Sequence, residues 1–253
     1  MIERKNLSGI DLIRQMDMKQ LAFTWSTMAV IKRVQVVVFL GTVLLPLCVQ
    51  AQQRIESQIR IARLKYSGGG DWYNDPSAEV NLLKFIKENT TIDADPQYEF
   101  VDISSEKLFS YPILFMTGHG NIVFSDYEVQ RLRSYLTNGG FLYADDDYGM
   151  DKAFRREMKK VFPDQNLVEL PFRFGLYSCH FNFPNGVPKT HEHDTKPAQG
   201  FGLFNKGRLC VYYTFEANPS DGWVDPEVHG DPEPVRLEAL RFGTNIVVWA
   251  LSH

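Results

Sequence analysis

The sequence predicts an α/β fold: a three-layer, doubly wound domain with a mostly parallel sheet and a β-rich C-terminal elaboration. Two observations carry this prediction. In the first half of the chain, short apolar runs of strand length alternate with segments whose apolar residues recur at helical spacing, as in βαβ units. Beyond residue 167 the alternation ends, and short strand-like runs separated by polar loops take its place.

Residues 1–51 have the composition of a leader followed by a signal peptide. Lys32 and Arg33 precede the uncharged run 34–47, which is short for a membrane span but suits the apolar region of a signal peptide. Small residues at the following −3 and −1 positions predict cleavage after Ala51. We therefore expect one α/β domain over 52–253, exported to the periplasm or the cell exterior.

Three further expectations concern this compartment. Met28 lies just before the basic pair and is the expected true start. Lipid anchoring at Cys48 and an uncleaved membrane anchor are the less favoured alternatives, since Leu47 is not the small residue that a lipobox needs. Cys179 and Cys210 both fall in strand-like runs, and either a disulfide or two free thiols fits an oxidising compartment.

The charge balance indicates which partners to expect. Residues 1–51 hold 6 of the 27 Lys+Arg and 3 of the 31 Asp+Glu, which leaves 21 and 28, a net charge of −7, on the remaining 202 residues. This domain lacks the basic excess that binding to nucleic acid requires. We expect a small molecule, a sugar or an envelope protein as partner, no nucleic acid, and no transmembrane helix in the mature protein.

Local signals place the elements in order. Apolar and basic residues alternate over 59–65 and predict a strand. Asp75, followed by proline, predicts the N-cap of a helix over 77–89. Ser125 and Glu128 form a capping-box pattern before a helix that a Gly-Gly pair closes. Further strands are expected over 98–103, 112–116 and 141–144, and a helix over 154–162.

The C-terminal part contains fewer helical signals. Short strands are expected over 167–183 and a long polar loop over 184–199. Runs 200–204 and 208–215 flank an Asn-Lys-Gly turn and predict a hairpin. After a further loop, the spacing of apolar residues predicts a terminal helix over 234–251.

Three polar loops follow predicted strands, at 66–71, 117–121 and 145–147. Ligands of open parallel sheets bind beyond the carboxyl ends of the strands, so we expect these loops to converge on one site. Tyr73 joins Trp72 and Trp223 as a candidate sugar or peptide platform. The candidate ligand-binding residues are Tyr66, Asp71, Trp72, Gly118, Gly120, Asp147 and Trp223.

The candidate catalytic residues are Asp145, Asp146 and His119. Three consecutive aspartates cannot all face one way, and their repulsion should raise the pKa of at least one of them unless a cation or hydrogen-bond donors offset it. They fit a general acid/base or a divalent-metal ligand set, although acids before a helix also favour its dipole. His119 could be a base or ligand, or could hold loop carbonyls.

Other motifs are weaker. The Gly-Gly-Gly run 68–70 lacks the spacing of a phosphate loop and predicts a turn. The His-Glu-His-Asp run 191–194 lacks the i, i+4 histidines of a helical zinc motif, which favours a solvated loop. No nucleophile-elbow motif is present, and Cys179 and His180, as neighbours in a predicted strand, would point to opposite faces.

Several runs in a fixed order resemble the bacterial domain of unknown function 4159. The resemblance spans nearly all of residues 59–251. It is carried by Leu64-Lys65-Tyr66, Gly70-Asp71-Trp72, Tyr111-Pro112, Gly118-His119-Gly120, residues 136–142 with Asp145-Asp146, Phe162-Pro163, Gly207-Arg208, Asp221-Gly222-Trp223 and residues 243–248.

The resemblance implies an α/β sandwich similar to flavodoxin and the class I glutamine-amidotransferase-like group. In active members of that group, the strand after the Gly-Gly turn leads to a nucleophilic cysteine, whereas here it leads to Asp145 and Asp146. Two functions remain open: a non-catalytic ligand-binding or interaction module, or a metal-assisted hydrolase that uses the aspartates and His119. A buried acid cluster with perturbed pKa values favours the second.

Overall fold

A computed structural model describes residues 58–253; the predicted leader, signal peptide, start at Met28 and Cys48 lie outside the described residues. One seven-stranded sheet has the order β2-β1-β3-β4-β7-β6-β5. The first five strands in this order are parallel, and β7-β6-β5 are antiparallel, so the mostly parallel α/β prediction is confirmed. The strands are β1 (Ile61–Lys65), β2 (Glu99–Asp102), β3 (Ile113–Met116), β4 (Phe141–Asp145), β5 (Val168–Glu169), β6 (Gln199–Asn205) and β7 (Arg208–Phe215).

Helices cover both faces of the sheet. They are α1 (Ala78–Asn89), α2 (Asp126–Thr137), α3 (Asp151–Val161), α4 (Pro226–His229) and α5 (Glu233–Ser252). Leu114 of β3 packs in one core with α2 and α3, whereas the next residue, Phe115, packs in a second core with α1 and α5. Successive strand residues point to opposite faces, so one strand serves both cores. Within residues 58–253, no helix is both long and apolar enough to cross a bilayer.

Structural features that depend on residues close together in the sequence were predicted correctly. Ser125 and Glu128 form the reciprocal capping box at the start of α2, and Gly139 follows α2 with a left-handed φ of +111°. β6 and β7 form the expected hairpin, whose two turn residues Lys206 and Gly207 both have positive φ. The terminal helix α5 lies where the apolar spacing predicts it.

The region 167–183 departs from the prediction of short strands. Only β5 forms, because Pro171 has no N–H for a ladder and its carbonyl accepts a hydrogen bond from the Phe174 N–H, which turns the chain. A 3₁₀ turn at Gly175–Ser178 follows, so Cys179 does not lie in a strand. Cys179 and Cys210 are free thiols.

Arg63 of β1 is a buried charge. Its side chain is 0% exposed, because it lies on the same strand face as Ile61, which packs in the core with α1. The guanidinium binds both carboxylate oxygens of Glu79, at 2.5 and 2.6 Å, and donates to the carbonyls of Trp72 and Asn74. This buried ion pair therefore fixes the loop between β1 and α1.

That loop also corrects the predicted helix start. The N-cap of α1 is Ser77, not Asp75, which has a left-handed φ of +49°. Non-glycine residues rarely adopt this conformation, and those that do are often found at functional sites. The Asp75 side chain points away from the helix and towards the carboxyl ends of the strands, where it lies near Asp147 and Asp221.

Candidate active site

The site lies at the carboxyl edge of the parallel strands. The chain passes from β1 to β2 on one side and returns to β3 on the other, so the loops after β1 and β3 flank a switch point in strand order. The loops after β4 and β7 lie beside them in the same sheet. The structure thus brings the three predicted loops together, and adds residues from 184–199 and 216–231.

His119 lies at the centre of the exposed part of the site. Its Nδ1 is 3.0 Å from Asp71 Oδ2 and 3.3 Å from Asp147 Oδ2. Its backbone N–H also donates to Asp71 Oδ1, which holds the loop after β3 against the loop after β1. The His119 side chain is 50% exposed while Asp147 is 6% exposed, so the histidine faces solvent and the carboxylate lies beneath it.

Tyr66 and Gly118 set the position of this histidine. The Tyr66 hydroxyl is buried and donates to the Thr117 carbonyl at 3.1 Å. A Cβ on Gly118 would collide with that hydroxyl and lie 3.0 Å from Asp71 Oδ1, and the φ of +133° at Gly118 also favours glycine. Tyr66 therefore supports the site from below and offers no free hydroxyl to a ligand. Gly120 also has positive φ, and it follows His119 in the same turn.

The three consecutive aspartates point in three directions, as predicted. Asp145 is fully buried and accepts hydrogen bonds from Ser220 N, Ser220 Oγ and Thr214 Oγ1. Asp146 accepts from Met150 N at 2.9 Å at the start of α3, so it serves the helix terminus. Only Asp147 turns to His119.

Burial dominates the electrostatics of these acids. It raises the pKa of Asp145 to about 7 and that of Asp146 to about 6. Burial together with the nearby Asp221 carboxylate raises the pKa of Asp147 to about 7. Burial opposes protonation of His119, but Asp147 and Asp71 outweigh it and raise the His119 pKa. The three aspartates are therefore weaker acids than a carboxyl group in solvent.

Sequence reasoning missed Asp75, Asp221 and Asn218. Carboxylate oxygens of Asp75, Asp147 and Asp221 all lie within 4.8 Å of one another. The fully buried Asn218 amide nitrogen donates to Asp147 Oδ1 at 3.1 Å and to Asp221 Oδ2 at 3.2 Å. The Asn218 Oδ1 has no hydrogen-bond partner among the described residues. Oxygen atoms in this arrangement are suited to a hard divalent cation.

The run 191–194 is an irregular loop in which Glu192, His193 and Asp194 are exposed, as its sequence favours, but His191 is partly buried. His191 lies between two carboxylates, with Nδ1 2.7 Å from Asp221 Oδ2 and Nε2 2.9 Å from Asp231 Oδ1. The hydrogen bond with Asp221 raises the pKa of His191 to about 9. His229, from α4, joins His191 and Asp221 in a second group of ligand atoms within 4.8 Å of one another.

A family model described as "Domain of unknown function" (DUF4159) matches residues 60–251, which include every residue of this site. The chain belongs to the DUF4159 family. Among curated proteins, none matches the chain. The candidate site therefore lies wholly within the DUF4159 domain, and its roles must be argued from its own geometry.

The aromatic candidates of the DUF4159 domain divide into a core residue and an exposed ledge. Trp223 is 1% exposed, and its ring packs on Phe115 and Tyr143, so it cannot be the ligand platform that the sequence suggests. Trp72 is half-buried and contacts Tyr73 and Phe100, with ring centroids 5.6 and 5.4 Å away. Tyr73 and Phe100 are more than half exposed, so these three rings form an aromatic ledge beside Asp71.

A cavity of about 330 Å³ borders the opposite flank of the site. It is lined by both acidic and basic side chains, among them Asp146, Lys152, Lys196 and Glu216. Lys196 forms ion pairs with Asp194 and Glu216 in the wall of this cavity. A polar ligand could occupy this cavity and reach the His119 side of the edge past Tyr148, whose backbone bridges to that of His119.

Proposed function

We propose that the DUF4159 domain is a metal-assisted hydrolase that acts on a small polar substrate at the carboxyl edge of its sheet. The observation that carries the proposal is the position of His119. Its Nδ1 faces two carboxylates, while the ring is half exposed. Carboxylates hold the proton on Nδ1, which leaves the Nε2 lone pair to accept a proton from an attacking water.

Asp147 links this base to the oxygen cluster, because it contacts His119 and belongs to the group with Asp75 and Asp221. A divalent ion held by Asp75, Asp147 and Asp221 would supply Lewis-acid polarisation and a more acidic water. His119 Nε2 accepts a proton from the water that attacks the substrate, and the protonated histidine then donates that proton to the leaving group. Asp71 keeps the ring oriented throughout.

The test is hydrolysis of chromogenic carboxylate, phosphate and glycoside esters by the purified protein with added Mg²⁺, Mn²⁺ or Zn²⁺. We expect His119→Gln to lower kcat by about 10²–10⁴-fold, the range for a general base. His180→Gln is the matched control, because His180 is exposed and contacts only Phe181 among aromatic rings of the described residues. Turnover that His119→Gln leaves unchanged would contradict the proposal.

The aromatic ledge favours a second candidate function, a non-catalytic ligand-binding module for a sugar or an envelope protein. Exposed rings of Tyr73 and Phe100 around Trp72 suit stacking on a sugar face or an apolar peptide side chain. Titration with oligosaccharides and peptides, followed by Trp72 fluorescence, tests this role. Saturable quenching that Phe100→Ala abolishes would support it, and the absence of any saturable change would exclude it.

We also propose the finer fold grouping and the export of the chain. The order β2-β1-β3-β4-β7 of the parallel strands supports a flavodoxin- or amidotransferase-like arrangement. An acid, Asp145, stands at the end of β4, and this argues against thiol chemistry there. Export rests on the apolar run 34–47 and the small residues before position 52. N-terminal sequencing of the periplasmic or secreted protein should find a start at Gln52.

A further inference from the structure

Two groups of metal-ligating atoms share one residue. Asp221 belongs to the oxygen group with Asp75 and Asp147, and also to the nitrogen-containing group with His191 and His229. The groups are further connected by His229 Nε2, which lies 3.5 Å from Asp75 Oδ1. A carboxylate common to two adjacent ligand sets is the arrangement that bridges the ions of two-metal hydrolytic sites.

Two buried oxygen atoms without partners point independently to cations at this place. Asn218 is 0% exposed, and its amide lies between Asp147 and Asp221, yet its Oδ1 has no hydrogen-bond partner within residues 58–253. The Asp231 side chain is 10% exposed and contacts His191 through Oδ1, while Oδ2 has no such partner in the described part of the chain. A buried oxygen left unpaired is costly, and a cation nearby would offset part of that cost.

We propose that this edge is a dinuclear metal centre in which Asp221 bridges the two ions. Asp75 and Asp147 complete an oxygen site for Mg²⁺ or Mn²⁺, while His191 and His229 complete a site for a Zn²⁺-like ion. Asp231 orients His191 by accepting its Nε2 proton, the outer-shell contact typical of zinc-bound histidines. The inference deepens the proposed hydrolase, since it concerns the same carboxylates.

Metal binding at the site of His191, His229 and Asp221 would release one proton. At 2.7 Å, His191 Nδ1 and Asp221 Oδ2 share a proton. The metal ion takes the place of that proton, so Nδ1 and Oδ2 become its ligands and the proton passes to solvent. Binding is therefore tighter at higher pH, as expected when protons and metal compete for the same atoms.

The experiment measures metal content directly and needs no substrate. The purified protein is dialysed against Zn²⁺ and Mn²⁺ together, and the bound metals are counted by elemental analysis. We expect about two ions per chain, one of each metal. His229→Gln should lose the zinc alone, Asp75→Asn should weaken the manganese alone, and Asp221→Asn should weaken both. His180→Gln, the matched histidine control, should retain both.

Circular dichroism confirms that each variant is folded, and the exposed position of His229 in a short helix makes its variant a mild one. Zinc that survives His229→Gln and His191→Gln would overturn the dinuclear centre, as would a content of one ion that only Asp147→Asn removes. That last result would leave a mononuclear hydrolase intact. Two bound ions without turnover of any ester would instead overturn the hydrolase and keep the metal centre.

Discussion

The Arg63–Glu79 pair and the acids at the carboxyl edge of the sheet are two sets of buried charges, and they differ in how the charge is compensated. On the α1 face, Arg63 and Glu79 form a two-point ion pair, and the remaining guanidinium protons go to loop carbonyls. At the carboxyl edge, Asp145, Asp147 and Asp221 are as deeply buried. Yet the ion-pair partners found for Asp71, Asp75, Asp147, Asp221 and Asp231 within residues 58–253 are all histidines.

The Arg63–Glu79 pair stabilises the fold, whereas the acids at the carboxyl edge are suited to the proposed chemistry. An arginine paired with glutamate stays charged at any physiological pH and holds one geometry. Carboxylates beside histidines can gain or lose protons, and they can exchange those protons for a metal ion. The Arg63–Glu79 pair stabilises the loop that carries Asp71 and Asp75. The acid cluster at the carboxyl edge depends on the position of that loop.

The largest effect is expected at the structural pair. Glu79→Gln keeps the side-chain shape but leaves the Arg63 charge buried without a counter-ion, which should lower the free energy of unfolding by about 3–5 kcal/mol. Urea denaturation measures it. Glu99→Gln is the matched control, because the Arg60–Glu99 pair is partly exposed and should contribute about 0–1 kcal/mol. Equal losses of unfolding free energy in Glu79→Gln and Glu99→Gln would contradict the difference between the buried and the exposed ion pair.

The next effect distinguishes two neighbouring aspartates. A metal ion that binds only the folded state at a hundredfold its Kd should add about 2.7 kcal/mol of stability. Asp147→Asn should abolish the rise in Tm with Mn²⁺ but keep the rise with Zn²⁺, since Asp147 belongs to the oxygen group and not to the group of Asp221, His191 and His229. Asp146→Asn should keep the rise, because Asp146 faces the start of α3. If Asp146→Asn loses the rise in Tm with Mn²⁺ and Asp147→Asn keeps it, the metal binds in the 330 Å³ cavity.

Per pH unit, the smallest effect is the pH dependence of the stability of the metal-free protein. Burial raises the pKa of Asp145 from about 4 in the unfolded chain to about 7 when folded. Between these values the folded state binds more protons than the unfolded state, so stability falls as pH rises, by up to about 1.4 kcal/mol per pH unit. Urea unfolding in chelator at pH 4–7 measures this slope. It should flatten in Asp145→Asn, and an unchanged slope would contradict the role of Asp145.

Sequence patterns correctly predicted the features that are determined by residues close together in the chain. The capping box at Ser125 and the two-residue turn before Arg208 depend on contacts within a few positions, and both formed as expected. The convergence of Asp71, His119 and Asp147 was also predicted, because parallel strands end at a common edge. The burial of Arg63 was not predicted, since the pattern of one strand says nothing about a helix that covers the second face of the sheet.

The missed site residues come from long-range geometry. Asp221 follows β7, which reaches the centre of the sheet only through its pairing with β4, and His191 arrives from a loop without regular structure. The His-Glu-His-Asp run was a usable signal, but it was tested only against the spacing of a helical zinc motif. Ligands from separate loops obey no such spacing. Trp223 was misjudged because an aromatic residue in a polar segment gives no sign of burial.

The late arrival of β7 has a consequence for how the chain folds. β4 gains its second neighbour only after residues 146–207 have been made, so a nascent chain holds β4 as an open edge during synthesis. Open apolar edges invite pairing with other chains, and charge at such an edge discourages it. The aspartates at the end of β4, Asp145, Asp146 and Asp147, would therefore disfavour aggregation of the nascent chain, apart from any role in the proposed chemistry.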